Sequence, residues 1–521
     1  MKIRSLIIVC ALLLASGSGS NTTEIATTAK PHTIMIYMNG SDLESEIGAA
    51  TTDLIEMLES GLNSQNANVV IFTGGTKYWQ NDVIPANECA MWKIEDGEIF
   101  EIKRVGLLNM GDPDTLADFI NFSIANFPAE KYGLILWDHG GGAIAGFGHD
   151  EKFDYYDEGS LTLAEMDYAF NKAGLSGQKL EWLGFDSCLM ATVEMAIVSA
   201  QYARYLVASE DLEPGDGWDY KFLALLNQNP QACGYILGKE IVDTFIDFYG
   251  PDSDEILTLS VVDLNKVQQI MDAMGQLMEQ CSDKLLNDLF VTDKDDAKNF
   301  TILAQRRKHT KTFGLGSPRD NESDMVDIGD MAHQLADLFP HEASTILDAL
   351  NEAVLYNRHN SRVPLYGLSA YYVYGGPFYE SMDLYAGLDV GESYTQYLLK
   401  FFEQLTNRQD IRDMLDVDIP LLRYVMGQPV ALYRTAQLAG RTQYAIPARV
   451  NGKDCDIVVC LKDDCRKLKV LGFRHDDGLV KQKGYDIFEP GDKISFYRPS
   501  QGFYSGRRND CEWLLGEEIE I

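Results

Sequence analysis

Two short stretches decide the fold: Gly133-Leu134-Ile135-Leu136-Trp137-Asp138-His139-Gly140-Gly141-Gly142 and Leu183-Gly184-Phe185-Asp186-Ser187-Cys188-Leu189-Met190. Each opens as a short apolar run without alternation, the pattern of a strand covered on both faces in a parallel sheet. Each then ends on a reactive side chain. In open α/β sheets ligands bind beyond the carboxyl ends of the strands, so His139 and Cys188 stand where chemistry is expected. They are 49 residues apart, with room for one helix over 164–173 between them. A right-handed β-α-β crossover returns the second strand beside or near the first, so both side chains are expected at one sheet edge.

Working outward, strands are expected over 33–38, 68–73, 132–137 and 180–185, with helices between them. Ser41 with Glu44, and Thr162 with Glu165, read as capping boxes. Asp112-Pro113 opens a further helix, proline being tolerated in the first turn. The order is β-α-β-(insert)-α-β-α-β. Beyond Tyr220 the pattern turns helical, over 236–248, 267–289 and 331–355, with strands at 256–262 and 366–374 expected to extend and brace the same sheet. After about Leu415 short alternating runs (443–450, 456–461, 468–473, 493–497) are separated by Asn451-Gly452, Asp477-Gly478 and Pro490-Gly491. The expected division is a signal peptide over 1–20, an α/β catalytic domain over 21–414 and a C-terminal all-β domain over 415–521.

The chemistry of a thiol beside an imidazole is specific. Near neutral pH a thiol is mostly protonated, and a cysteine hydrolase needs a base to form the thiolate and then an acid for the leaving amine. His139 fits both roles and Cys188 that of nucleophile. Gly140, with no Cβ, lets a backbone N–H approach a developing oxyanion, and the Cys188 N–H is the expected second donor. The residues after Cys188 look helical, and a helix amino end near the sulfur favours its anion. His149 lacks a preceding apolar strand and is read as a surface or packing residue.

Composition excludes several classes. Lys plus Arg number 44 against 79 Asp plus Glu, a formal charge of −35 that repels nucleic-acid phosphates. Lys2 and Arg4, the apolar run from Leu6 to Leu14 and the small residues Ala15 to Ser20 read as an export signal. The run is too short for the roughly 20 residues of a stable membrane span. Export to the periplasm, the cell surface or the medium is expected. Eight cysteines remain after the signal, and Cys455, Cys460, Cys465 and Cys511 crowd the tail, where disulfides and free thiols are both open readings. No His-Glu-x-x-His, Walker motif or Gly-x-Gly-x-x-Gly after a strand is present, so no metal site is expected.

The two blocks resemble those of the clostripain family of cysteine peptidases, within the caspase-like clan. The His-to-Cys spacing is close to the roughly 50 residues of caspases. The likeness extends to 33–44, to Asn109-Met110-Gly111-Asp112-Pro113, to 208–218 and to Gly367-Leu368-Ser369-Ala370-Tyr371-Tyr372, and covers residues of about 30 to 410. It implies a caspase-like, mostly parallel sheet flanked by helices, a dyad of His139 and Cys188 needing no third residue, and cleavage of polypeptides after Arg or Lys. It implies Asp186 as the acidic residue at the base of the primary specificity pocket, with Asp216 a second candidate. It implies self-cleavage in the loop 149–158, whose only basic residue is Lys152. Some members depend on calcium. The acids of that loop are oxygen donors without EF-hand spacing, so they are read as a solvated acidic face. No cofactor is required on this reading, with calcium kept as an option. The alternative function is a non-catalytic binding or adhesion protein on the same scaffold. An amidase or transpeptidase would keep the thiol chemistry and change the acceptor.

Overall fold

The computed structural model describes residues 29–405 apart from short breaks, the longest at 154–159, 286–290, 293–298, 315–323 and 375–384. Beyond 405 it describes the backbone of strands lying between 433 and 520. The expected signal peptide, the stretch 154–158 of the acidic loop and the side chains of the four tail cysteines lie outside the described residues. The chain divides into two units, Met1–Gly375 and Gly376–Ile521.

In the first unit the chain lays down Lys30–Asn39 (β1), Ala67–Gly74 (β2), Cys89–Glu95 (β3), Glu98–Gly106 (β4), Ala129–Trp137 (β5), Leu180–Asp186 (β6), Ala203–Ala208 (β7) and Thr258–Asp263 (β8). With the strand Val354–His359 they form a nine-stranded sheet, ordered Val354–His359, β8, β7, β6, β5, β1, β2, β3, β4. The five central strands are parallel, and the flanking ones pair antiparallel. This is the mostly parallel, helix-flanked sheet expected. Ile34, Ile36, Ile71, Leu134, Leu136, Leu183 and Phe185 have no more than trace exposure, as strands covered on both faces require.

Helices cover those faces. Ser41–Ile47 (α1) and Ala49–Glu59 (α2) follow β1, Pro113–Asn126 (α3) precedes β5, Gly142–Ala145 (α4) follows it, Leu163–Lys172 (α5) precedes β6, and Val193–Ser199 (α6) follows. The Thr162 capping box is present on α5, with both reciprocal bonds made. Asp112 caps α3 through the Asp114 N–H, with Pro113 in the first turn.

Several local expectations are overturned. Ser41 and Glu44 form no capping box: Gly40 caps α1 without a side-chain bond, and the Glu44 carboxylate instead accepts from Thr51 N–H, Thr51 Oγ1 and Gln80 N–H. The helix starting at Ser41 breaks at Gly48, whose φ of 74° stops α1, and α2 begins at Ala49. The insert between β2 and α3 is the hairpin β3–β4, turned by Asp96 and Gly97, both at positive φ (51° and 78°), and it lengthens the sheet. The strand region 366–374 does not extend the main sheet. Only Ser369–Tyr371 is extended there, and it pairs with Met325–Asp327 in a separate ladder. Pro340 divides the helix expected over 331–355 into Ile328–Leu335 and Pro340–Ala353.

In the second unit, the helix Glu392–Leu405 is followed by antiparallel pairings of Arg441–Val450 with Lys453–Lys462 and of that strand with Lys467–His475. Lys493–Pro499 pairs with Arg441–Val450 as well.

Candidate active site

The β5–β6 ladder sets the site. Its last registered pair is Trp137 with Asp186, and the Asp138 N–H still reaches the Asp186 carbonyl at 3.4 Å. His139 and Cys188 each lie two residues past that last pair. The backbones nearly touch here: a Cβ on Gly140 would lie 2.0 Å from the Cys188 carbonyl oxygen. Only glycine permits that approach. Leu189 turns the chain sharply at φ 64°, a conformation uncommon for a bulky residue, and is held by its N–H to the Asp211 carbonyl at 3.0 Å.

His139 Nε2 lies 2.7 Å from Asp42 Oδ1, at the start of α1. With the Nε2 proton donated to that carboxylate, Nδ1 is the ring's basic nitrogen. Behind it, the buried Asp138 accepts from Asn39 Nδ2 at 2.6 Å and from the His149 N–H at 2.5 Å. Burial pushes the Asp138 carboxyl up to about 7, partly offset by His139. Burial alone would lower the imidazole's pKa, but the Asp138 charge and the Asp42 hydrogen bond outweigh it and raise it. His149, expected as a surface or packing residue, is half-buried with its Nδ1 4.0 Å from the same Asp42 oxygen. Asp42 is the group that sequence reasoning missed. Its position directly after the β1 strand end, level with the other two strand ends, was the available signal.

Cys188 Sγ accepts from the Glu213 N–H at 3.3 Å and donates to the Glu213 carbonyl at 3.8 Å. Burial pushes the thiol up to about 12, with the charges of Glu213 and Asp211 acting the same way. The expected helix amino end at the sulfur is not there. α6 begins only at Val193, and its cap Thr192 takes the Met195 N–H. The intervening residues form the left-handed turn at Leu189 and a link in which Ala191 N–H bonds the Ser209 carbonyl at 2.8 Å.

Asp186 lies deeper, at the end of β6 and 4% exposed. Its Oδ1 accepts from the Trp218 N–H at 3.1 Å and its Oδ2 from the Tyr220 hydroxyl at 2.8 Å. Burial pushes its carboxyl up to about 7. Around it stand acids from two other segments, α2 and the loop after β7. Asp53 on α2 accepts from Trp137 Nε1 at 2.6 Å, and Glu56 accepts from the Tyr220 N–H at 3.0 Å. Asp216 is exposed in the turn closed by Gly217 N–H to the Pro214 carbonyl at 3.0 Å, and its charge is felt at Asp53 and Glu56. The signal for Asp53 was its position: with Ala50, Leu54 and Met57 it falls on the buried face of α2, where an acid needs a reason.

His139, Gly140, Cys188, Asp186 and Asp216 are therefore brought to one end of the sheet. Lys152 lies to their side, past the end of β2, where the Glu151 N–H reaches the Gly75 carbonyl at 2.8 Å. It is half-buried beside Asp150, whose Oδ1 takes its N–H at 2.9 Å, and Cys89 is the thiol that feels its charge. Among the described residues no group of three or more His, Cys, Asp or Glu is arranged to hold a metal ion, and no helix is long and apolar enough to cross a membrane.

This arrangement has known counterparts. The clostripain family model matches residues 36–384. Clostripain of Hathewaya histolytica is 31% identical over 223 residues, a match covering 36% of this chain and 40% of that protein, so it spans less than half of that relative. A secreted C11 cysteine protease from Bacteroides thetaiotaomicron, solved with an irreversible peptide inhibitor, superposes with a TM-score of 0.52 at 13% identity, over 70% of this chain and 99% of that one. An inactive zymogen C11 protease from Parabacteroides distasonis gives 0.50 at 19% identity, over 74% and 98%. At these identities the structural likeness is one of fold. With the family model spanning the sheet, both strand ends and the acids around them, the chain belongs to the clostripain family of cysteine peptidases.

Proposed function

We propose that this peptidase is exported and cuts polypeptides after arginine or lysine, with Cys188 as nucleophile and His139 as base. The observation that supports the reading is the β5–β6 ladder, whose last pair is Trp137 with Asp186, together with the close approach of Gly140 to the Cys188 carbonyl just beyond it. Asp42 keeps the imidazole oriented, a third member of what the sequence presents as a dyad. In the reaction His139 takes the thiol proton and the sulfur adds to the scissile carbonyl. The Gly140 N–H faces the developing oxyanion. The imidazolium then gives its proton to the leaving amine, and a water, deprotonated by the same ring, releases the acyl group from sulfur.

Selectivity for a basic side chain follows from a carboxyl-lined floor with no basic group bonded to Asp186. The clostripain resemblance and the secreted relative support export, and the zymogen relative supports self-processing, with cleavage after Lys152 as the proposed cut. The test is a fluorogenic peptide with Arg at the primary position. Cys188→Ala abolishes turnover, and Asp186→Asn lowers kcat/KM for Arg and Lys by at least tenfold while sparing uncharged residues. Turnover persisting in Cys188→Ala overturns the assignment. Lys152→Ala leaves the purified chain as one band if Lys152 is the processing site, and a wild-type cut mapped elsewhere removes that role.

A further inference from the structure

Glu213 touches two parts of the site at once. Its backbone brackets Cys188 Sγ, the N–H donating at 3.3 Å and the carbonyl accepting at 3.8 Å. Its side chain runs the other way, toward Asp186: burial and then the Asp186 charge push its carboxyl well up, and Trp218 Nε1 donates to its Oε1 at 3.5 Å.

Two buried oxygens in this cluster have no hydrogen-bond partner, Glu213 Oε2 and Asp53 Oδ1, the latter on a side chain 1% exposed. Both Asp186 oxygens already take one donor each, from Trp218 and Tyr220. The Asp186, Glu56 and Asp216 charges act on Asp53, Asp216 acts on Glu56, Glu56 acts on Asp186 and Asp186 acts on Glu213, while the Lys221 charge offsets Glu56. Unpaired buried carboxylate oxygens are costly, so such a cluster is built for a positive partner that arrives from outside. A guanidinium brings five N–H donors in a planar fork and suits several acceptors on different residues better than a compact ammonium does.

We propose that Glu213 is a specificity-determining residue that couples the filling of the acidic pocket to the freeing of the nucleophile. A guanidinium entering over Asp186 takes Glu213 Oε2 and Asp53 Oδ1 as acceptors, and the shift of Glu213 toward it withdraws its backbone from Cys188 Sγ. The bound positive charge also offsets the acids that disfavour the thiolate. The inference rests on the basic-residue reading above and adds to it that an empty pocket keeps the sulfur capped.

The experiment alkylates the full chain with iodoacetamide, following the Cys188 peptide by mass spectrometry with and without benzamidine. Benzamidine is expected to accelerate Cys188 alkylation at least tenfold, with buried Cys89 and Cys281 as internal references. Glu213→Gln is expected to abolish the acceleration and to raise KM for Arg peptides more than it lowers kcat. Glu213→Asp, which restores the charge, is expected to recover part of both. Unchanged or slowed alkylation of the wild type overturns the coupling, as does equal acceleration in Glu213→Gln. The wild-type arm decides even if the variants fold poorly. Alkylation needs no peptide cleavage, so it reads the coupling where Arg turnover fails. Normal Arg turnover with flat alkylation sinks the coupling alone.

Discussion

Replacing Gly140 by alanine tests the claim that the two strand ends are pressed together at the reaction centre. The added methyl would sit 2.0 Å from the Cys188 carbonyl oxygen, and 3.0 Å from both its carbonyl carbon and Met190 Cγ. Ordinary contact begins near 3.4 Å, so one backbone or the other has to move by more than 1 Å, and the nearest atom belongs to main chain with no rotamer to escape into. A misplacement of about 1 Å in a reacting geometry costs roughly 100-fold in rate, equivalent to about 2.7 kcal/mol of barrier. Overpacking of this kind also costs about 1–3 kcal/mol of stability. The expected outcome is a loss in kcat/KM of about two orders of magnitude on an Arg peptide, with a lowered but cooperative thermal transition. Gly177→Ala is the control, because its Cβ would meet only the Gly174 carbonyl at 3.6 Å, an ordinary contact. Wild-type kcat/KM in Gly140→Ala would refute the reasoning, since it would mean that Gly140 and Cys188 are not held in contact during the reaction.

Removing Asp42 takes away a hydrogen bond and a charge that raise the His139 pKa. A base acts only when deprotonated, so the acid limb of the kcat/KM profile is expected to move to lower pH in Asp42→Ala, with a lower plateau because the ring is no longer oriented; an unmoved limb removes Asp42 from this role. Away from the site, Arg307, 2% exposed, donates to the Tyr372 carbonyl at 2.6 Å and to Asp324 at 3.1 Å. Arg307→Met leaves Asp324 buried without that charge and is expected to cost about 3–5 kcal/mol, measured by urea denaturation.

The centre of the sheet was readable because buried parallel strands are written as unbroken apolar runs, and β1, β2, β5 and β6 all are. β4 was not, since Glu98, Glu101, Lys103 and Arg104 alternate with apolar residues in a half-exposed strand that reads as loop; the Asp96-Gly97 turn was its one strong mark. β7 was passed over because its six residues follow α6 with only a three-residue link. His139 and Cys188 were legible for a topological reason, each ending an apolar strand. Asp42 was hidden by its neighbours, because Ser41 and Glu44 mimic a helix cap while Glu44 in fact braces Thr51 and Gln80 across a loop. Glu213 carried no local pattern at all. Its importance comes from long-range closure of its loop over both Cys188 and Asp186, which spacing along the chain does not encode.

The outermost strand β4 has a further consequence. Arg104 is clamped between Glu88 at 2.7 Å and Glu101 at 2.9 Å, so the free rim of the sheet carries alternating charge instead of a bare ladder of amides. A second molecule's strand laid along that rim would have to strip water from these groups before gaining any bond. The same pattern that concealed β4 from a hydropathy reading thus discourages one copy from templating another, and a crowded solution of this protein should resist growth into fibrils from that side.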